Sequence, residues 1–177
     1  VKYKHMLQEG KQYGLTDMEI YAILLYTDAN SPCYRMRKAH RDKLDGCQWK
    51  NMFNLILSGV NKIYQVFHKN HKNYNLRYLL HGCTISELED SQKEKLILNT
   101  LTSFTTDWSV ALNFAKTGDM NKNGMIMVIE NAHKSIKHGN LRGADVSWLS
   151  SHVGESEVLI LPTTFKNFKS ISDGKYR

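Results

Sequence analysis

The stretch Gly154-Glu155-Ser156-Glu157-Val158-Leu159-Ile160-Leu161-Pro162 contains four consecutive apolar residues followed by a proline, and this run predicts a strand. Two carboxylates stand two residues apart at its start. Because the side chains of residues i and i+2 in a strand point to the same face, Glu155 and Glu157 are expected to share one site if strand pairing begins at Glu155. The alternative is that both acids end the strand and face water.

Short runs of strand character continue through the second half of the chain. After Asn73, segments rich in Val, Ile, Leu and aromatic residues alternate with Gly, Asn or Asp. The predicted strands cover residues 77–81, 98–105, 124–129, 157–161 and 165–171. A short helix over residues 107–116 is predicted between them, with Asp107 as its N-cap and with Val110, Ala111 and Phe114 facing inward.

The first part of the chain has a helical pattern. Thr16-Asp17-Met18-Glu19 is a capping box, which predicts a helix start at this point. Ser31-Pro32 predicts the start of a second helix. A third helix of about five turns is predicted from apolar residues at helical spacing: Trp49, Met52, Phe53, Ile56, Leu57, Val60, Ile63, Tyr64 and Phe67. Helices followed by a largely antiparallel sheet indicate the α+β class.

Composition fits one globular domain over residues 1–177, with a helical part in 1–72 and a strand-rich part in 73–177. The chain has 41% hydrophobic residues, and no apolar run is long enough to predict a membrane span. A net charge of +7 favours acidic partners. Nucleic acid is one such partner, but no RNP-like motif with interleaved aromatic and basic residues is present. Three cysteines without a zinc-type spacing indicate reduced thiols and a cytoplasmic site of action.

Four segments with polar residues stand in a fixed order along the chain: Leu79-Leu80-His81-Gly82, residues 101–107 with Ser103 and Thr105, residues 143–150, and Glu155-Ser156-Glu157. This order resembles the arginine-type mono-ADP-ribosyltransferases. Their signature is an Arg-Gly strand end, a Ser-Thr-Ser strand and a Glu-x-Glu loop. The resemblance extends over nearly the whole chain, including the leading helices, and it implies a two-sheet core around an NAD cleft.

The resemblance also implies a role for each matching residue. Glu157 matches the catalytic carboxylate that stabilises the oxocarbenium-like transition state and binds the ribose, and Ser103 holds that carboxylate. Glu155 matches the residue that orients or deprotonates the acceptor. Ser103, Thr105, Gly82 and His81 match the NAD-binding positions. Gly82 is expected to let the nicotinamide amide approach the backbone closely.

His81 departs from the family pattern, because arginine stands at this position in the family. A histidine cannot form the bidentate phosphate contact of a guanidinium. Transferases of the diphtheria-toxin type and of the poly-ADP-ribose polymerase type carry histidine at the matching strand position, where it contacts a ribose. His81 is therefore either a functional replacement or the mark of a degraded site. No HExxH motif is present, and no third ligand accompanies His68 and His71, so no metal site is predicted.

The resemblance implies transfer of ADP-ribose from NAD to a side chain of a protein, with release of nicotinamide. Arginine is the default acceptor because of Glu155, and His81 leaves Thr, Asn or Ser open. A bacterial effector or toxin secreted into a host cell fits a compact, basic, reduced transferase. The alternatives are an NAD glycohydrolase, in which water is the acceptor, and a non-catalytic protein-interaction module with the same fold.

Overall fold

The computed structural model describes residues 2–28, 49–69, 76–84, 95–116 and 124–166. Before the strands, the described residues contain three helices: α1 (Lys2–Gln12), α2 (Asp17–Thr27) and α3 (Lys50–Lys69). The predicted capping box begins α2, because the Thr16 hydroxyl accepts from the Glu19 amide and the Glu19 carboxylate accepts from the Thr16 amide. The predicted second helix at Ser31-Pro32 lies outside the described residues.

The apolar stripe of α3 packs against α2 and the sheet, as its spacing predicts. Phe53, Ile56, Val60 and Ile63 are buried with Ile20, Ile23 and Tyr26 of α2 in one hydrophobic cluster. Glu19 is also buried there. Its carboxylate accepts from Ser58 Oγ at 2.7 Å and from Lys62 Nζ at 2.8 Å, so it joins α2 to α3 through charge-assisted hydrogen bonds.

Within the part of the chain that the structure describes, seven strands form two antiparallel sheets. The strands are β1 (Tyr78–Thr84), β2 (Lys95–Leu98), β3 (Thr102–Thr105), β4 (Gly124–Glu130), β5 (Gly143–Asp145), β6 (Glu157–Ile160) and β7 (Thr163–Lys166). The larger sheet has the order β4-β1-β3-β6-β5, and β2 pairs with β7 in a two-stranded sheet. Helix α4 (Trp108–Lys116) follows β3, and α5 (Ala132–Lys137) follows β4.

Strand β6 lies between β3 and β5, and both of its faces are buried. Leu159 and Leu161 pack into the cluster made with the N-terminal helices, whereas Val158 and Ile160 pack into the cluster on the opposite face of the sheet. A strand buried on both faces is apolar at every position instead of alternating. The run Val158–Leu161 therefore lies between the two hydrophobic clusters and contributes side chains to both.

Helix α4 lies directly on β1 and β4 because glycines stand beneath it. A Cβ at Gly82 would come within 2.0 Å of the Ala111 carbonyl oxygen, and one at Gly124 within 2.0 Å of the Ala115 carbonyl oxygen. A side chain at either position would force the helix away from the sheet. The helix begins where predicted, since Asp107 Oδ1 accepts from the amides of Ser109 and Val110.

The sequence prediction was wrong about several element boundaries. The predicted strand over residues 98–105 contains all of β3 but only the last residue of β2, and these two strands lie in different sheets, separated by residues 99–101. Strand β7 begins at Thr163 instead of Phe165, and residues 167–171 lie outside the described part. Helix α1, strand β5 and helix α5 were not predicted as separate elements. Three and six residues are too short for β5 and α5 to show a period.

The α+β class is confirmed, with N-terminal helices followed by an antiparallel core in two sheets. Within the described ranges, no helix combines the length and the apolar character needed to cross a membrane.

Candidate active site

A cleft opens where β1 and β3 separate. The two strands pair only at Leu80 and Thr105, whereas β1 pairs with β4 over seven residues. Beyond this single bridge, a hydrogen bond from the His81 side chain to the backbone of β3 connects the two strands. Its Nδ1 lies 2.7 Å from the Ser103 carbonyl oxygen. Because a carbonyl only accepts, Nδ1 carries the proton, and Nε2 is the acceptor nitrogen of the neutral ring.

Ser103 also contacts Glu157 on the neighbouring strand. The register places Thr105 opposite Glu157 and Ser103 opposite Leu159, so Ser103 is the diagonal neighbour of Glu157 on the same face of the sheet. The Ser103 hydroxyl donates to Glu157 Oε1. Glu157 is only 4% exposed. This carboxylate is therefore held in one orientation in a largely water-free setting.

Glu155 reaches the same cleft by a turn and not by strand alternation. The expectation that strand pairing begins at Glu155 is wrong, because β6 begins at Glu157 and Glu155 ends a 3-10 turn over Val153–Glu155. Ser156 between them has φ 46° and ψ 51°, in the left-handed region. This conformation is unfavourable for serine and is typical of functional turns. It lets both carboxylates line one cavity.

Thr105 fixes the turn that carries Glu155. Its hydroxyl donates to the Glu155 carbonyl oxygen at 2.5 Å and accepts from the Asp107 amide at 3.0 Å. Thr105 is 5% exposed and was predicted to bind NAD. In the structure this hydroxyl joins the Glu155 turn to the start of α4. Asp107 is itself fixed there, since hydrogen bonds from Ser109 and from the Val110 amide lower its pKa below the usual value.

The loop between β5 and β6 is held from several sides. Asp145 Oδ1 accepts from the Ser147 amide at 2.9 Å and from its hydroxyl at 2.6 Å, and the Val146 amide donates to the Glu157 carbonyl oxygen at 2.9 Å. Trp148 stacks on Tyr13 with ring centroids 5.4 Å apart. Trp148 therefore packs against the helical layer.

A cavity of about 250 Å³ occupies the cleft. The six residues given by sequence reasoning as site residues, His81, Gly82, Ser103, Thr105, Glu155 and Glu157, all line it. The rest of its lining is contributed by α2, by β1 and β3, by α4 and by the loop before Glu155: Tyr26, Thr27, Asp28, Leu80, Phe104, Val110, Ala111, Phe114 and His152.

Three of these lining residues contradict or extend the sequence prediction. Phe114 was expected to pack inward, but it is 53% exposed at the cavity, while Ala115 takes the buried place beside Ala111. Neither Asp28 nor His152 was singled out from the sequence as a site residue. The pocket joins Asp28 to residues more than one hundred positions away, so no local pattern in the sequence could have revealed it.

No protein-family model matches the sequence, and no curated protein matches it either. Solved structures do match. The chain has the fold of the ADP-ribosyltransferase Vis. A crystal structure of Vis with an inhibitor matches with a TM-score of 0.61 at 18% identity, covering 98% of this chain and 78% of that one. A second structure, of the Vis toxin from Vibrio splendidus, matches with a TM-score of 0.57 at 16% identity, covering 96% and 81%.

This likeness concerns the fold, since identity below one fifth does not carry the roles of single residues from Vis to this chain. The roles have to be argued from the cleft itself. Among the residues that the structure describes, no group of three or more His, Cys, Asp or Glu is arranged to hold a metal ion.

Proposed function

We propose that this protein is a mono-ADP-ribosyltransferase, which transfers ADP-ribose from NAD to a protein side chain and releases nicotinamide. The observation that carries the proposal is the buried Glu157 carboxylate, oriented by the Ser103 hydroxyl, in a cleft of the Vis fold. A buried carboxylate is costly without a positive charge to stabilise. The bond between ribose and nicotinamide develops such a charge as it breaks.

The reaction proceeds by substitution at the ribose carbon that carries nicotinamide. The bond from this carbon to the pyridinium nitrogen breaks, its electron pair stays on the nitrogen, and neutral nicotinamide leaves. Glu157 stabilises the oxocarbenium-like transition state electrostatically, because the carboxylate is already aligned and needs no reorganisation. A nitrogen of the acceptor then bonds to the same carbon and loses one proton.

Glu155 is the proposed group that orients the acceptor and takes its proton. It lines the same cavity as Glu157, but its backbone is fixed by Thr105 and not by the strand ladder. A guanidinium acceptor has several N–H donors for such a carboxylate, so arginine is the acceptor that the arrangement favours. The product is an ADP-ribosylated side chain, nicotinamide and one proton.

His81 is proposed to bind NAD in place of the family's arginine. With Nδ1 donating to the Ser103 carbonyl, the neutral form of the ring has Nε2 as an acceptor nitrogen and carries no positive charge. An acceptor nitrogen can bind a ribose hydroxyl, which donates a hydrogen bond. It cannot bind a phosphate in the same way, because phosphate oxygens accept. Phe114 supplies an exposed aromatic ring at the same cavity, against which a flat pyridinium ring packs favourably.

The proposed partner is a protein substrate with an acidic surface, since the chain carries a net charge of +7. The cytosol of a target cell is the proposed place of action, as for an effector or toxin. That Vis is a toxin supports this proposal, but it does not identify a target. NAD glycohydrolase activity is the second candidate, because water can enter the same cleft as acceptor.

The test is transfer of label from NAD to protein. The chain is incubated with NAD labelled in the adenylate part and with a cell lysate, and modified proteins are separated by electrophoresis. A labelled band that is absent with Glu157→Gln supports transferase activity. Release of nicotinamide without any labelled protein supports the glycohydrolase instead. If neither label transfer nor nicotinamide release is observed, both activities are contradicted and the interaction module remains.

A further inference from the structure

The hydroxyl of Thr105 is bonded to the protein itself. Thr105 is the last residue of β3 and is 5% exposed. Its hydroxyl donates to the Glu155 carbonyl oxygen at 2.5 Å and accepts from the Asp107 amide at 3.0 Å. Both directions are fixed, because a carbonyl only accepts and an amide N–H only donates. A hydroxyl has a single proton, so Thr105 has no donor left for the oxygens of NAD.

The bond to Glu155 extends the pairing of β3 and β6 past the end of the ladder. The last paired residues are Thr105 and Glu157, and Glu155 stands beyond them at the end of the 3-10 turn. The Glu155 amide donates within that turn, to the His152 carbonyl oxygen at 3.0 Å. The Glu155 carbonyl is bonded to the sheet instead, and the Thr105 side chain supplies the donor. The hydroxyl thus stands where a strand amide would donate in a longer ladder.

The strained residue next to Glu155 is held from both sides. Ser156 has φ 46°, a conformation that persists in a protein only where neighbouring contacts impose it. On one side, the Val146 amide donates to the Glu157 carbonyl oxygen at 2.9 Å. On the other side is the bond from Thr105 to Glu155. Loss of the Thr105 hydroxyl would release one side of this turn, and the direction of the Glu155 side chain depends on the turn.

The second bond of the same hydroxyl leads to another wall of the cavity. Its donor is the amide of Asp107, the residue that caps α4 by accepting from the amides of Ser109 and Val110. Val110 and Phe114 of this helix line the cavity, as Glu155 does. One hydroxyl therefore joins the turn that carries Glu155 to the helix that is proposed to contact the pyridinium ring.

We propose that Thr105 is a positioning residue for Glu155, and that it acts on transfer to the acceptor and not on NAD binding. The proposal rests on the proposed transferase function. Glu155 has to orient an acceptor and take its proton from a fixed direction, because a displacement of about 1 Å is enough to lower a rate about 10²-fold. Glu157 is oriented separately, by the Ser103 hydroxyl. Without the Thr105 hydroxyl, nicotinamide still leaves, and water in place of the acceptor bonds to the ribose carbon and loses one proton.

The test compares removal of a hydroxyl at two threonines of β3. Thr105→Val keeps the shape of the side chain and removes the hydroxyl, whereas Thr105→Ser keeps the hydroxyl. Thr102→Val is the matched control, since the Thr102 hydroxyl also donates to a backbone carbonyl, that of Thr100 at 3.1 Å, but Thr102 does not line the cavity.

Nicotinamide release with water as acceptor is measured first for each variant. Transfer to the free guanidinium compound agmatine is then measured at varied agmatine and at varied NAD. Thermal unfolding shows whether each variant is folded, and Thr105→Ala replaces Thr105→Val if that variant is not.

For Thr105→Val we expect the kcat for transfer to agmatine to fall about tenfold or more. The KM for NAD should stay at the parent value, and nicotinamide release in water should fall no more than about twofold. Thr105→Ser should restore transfer, and Thr102→Val should match the parent in every assay. In a Glu155→Gln background, Thr105→Val should cause no further fall in transfer, because a positioning residue acts only through the residue that it positions.

A raised KM for NAD in Thr105→Val, with an equal fall in both activities, would show that Thr105 contacts NAD and would overturn the proposal. Parent-like transfer in Thr105→Val, no recovery in Thr105→Ser, or an additive fall in the double variant would also overturn it, as would an equal fall of transfer in Thr102→Val. So would a parent that releases nicotinamide but modifies no guanidinium. A parent without nicotinamide release contradicts the proposed function itself, and the role of Thr105 with it.

Discussion

The imidazole of His81 donates from Nδ1 to the carbonyl oxygen of Ser103, 2.7 Å away, at the point where β1 and β3 part. The same Ser103 donates its hydroxyl to Glu157. One residue thus connects the histidine that lines the cavity with the carboxylate of the proposed chemistry. His81 therefore has a fixed orientation in the cleft, which a degraded site has no need to maintain.

Two substitutions distinguish the roles of the two ring nitrogens of His81. Asparagine places an N–H donor near the position of Nδ1 but has no counterpart of Nε2. We expect His81→Asn to keep the parent melting temperature and to weaken NAD binding about tenfold, the cost of one lost hydrogen bond to the ligand. His81→Ala should weaken NAD binding to a similar extent and also lower the melting temperature. Calorimetric titration with NAD and thermal unfolding measure both effects. Parent-like NAD affinity in both variants would show that His81 does not touch NAD.

Glu155→Gln should separate protein modification from NAD hydrolysis. The carbonyl of residue 155 holds the turn through Thr105, and that contact does not involve the side chain that is changed. The variant should therefore keep the cleft and release nicotinamide at a measurable rate, while label transfer to protein falls about 10²-fold or more. Equal loss of both activities would mean that Glu155 shapes the NAD site.

The left-handed turn at Ser156 predicts an unusual order of substitutions. Ser156→Gly should keep transferase activity and leave the protein as stable as the parent or slightly more so, because glycine adopts φ 46° without strain. Ser156→Val should lower the free energy of unfolding by about 1–3 kcal/mol and lower activity, since a β-branched residue opposes this conformation. Urea unfolding and the nicotinamide assay are compared for the pair. If Ser156→Val and Ser156→Gly had the same stability and the same activity, the left-handed turn would have no role in either property.

Glu19 predicts a pH dependence of stability. Burial raises the pKa of this carboxyl, but hydrogen bonds from Lys62, Thr16 and Ser58 outweigh it, so the pKa is lowered overall. A lowered folded-state pKa means that the contribution to stability is present above the unfolded-state pKa and is lost as pH falls through the folded-state pKa.

Glu19→Gln should therefore reduce the free energy of unfolding by about 1–3 kcal/mol at pH 7, and the difference from the parent should shrink below about pH 4. Urea unfolding at both pH values measures it, with the exposed Glu130→Gln as control. A difference that stays constant from pH 7 to the acid range would show that the charge of Glu19 is not what stabilises the pair α2 and α3.

The fold class was predictable because several of the elements have a clear period, cap or apolar run. The stripe of α3 and the capping box before α2 are local patterns, and both are present as predicted. The run Val158–Leu161 also predicted its strand, since burial on both faces leaves no polar position in it. The break at residues 99–101 was not predictable, because β2 and β3 follow each other within three residues, and the partner strand that each one meets is not visible in the local sequence.

The order of the motifs along the chain predicted only part of the candidate site. His81, Ser103 and Glu157 lie on three neighbouring strands of the larger sheet, so the sheet brings these separate motifs close together. Glu155 was placed in the right cavity for the wrong reason, because a left-handed residue and not strand alternation turns it inward. Asp28 and His152 meet the cleft through helix docking and loop geometry, which leave no spacing in the sequence.

The central claim is that Glu157 stabilises the transition state of nicotinamide release. The most direct measurement compares the parent and Glu157→Gln in a quenched assay for nicotinamide, alongside calorimetric titration with NAD. We predict a fall in turnover of about 10²-fold or more with NAD affinity changed little, since glutamine keeps the shape and the Ser103 contact but removes the charge. Parent-like turnover in a folded Glu157→Gln protein would contradict the account.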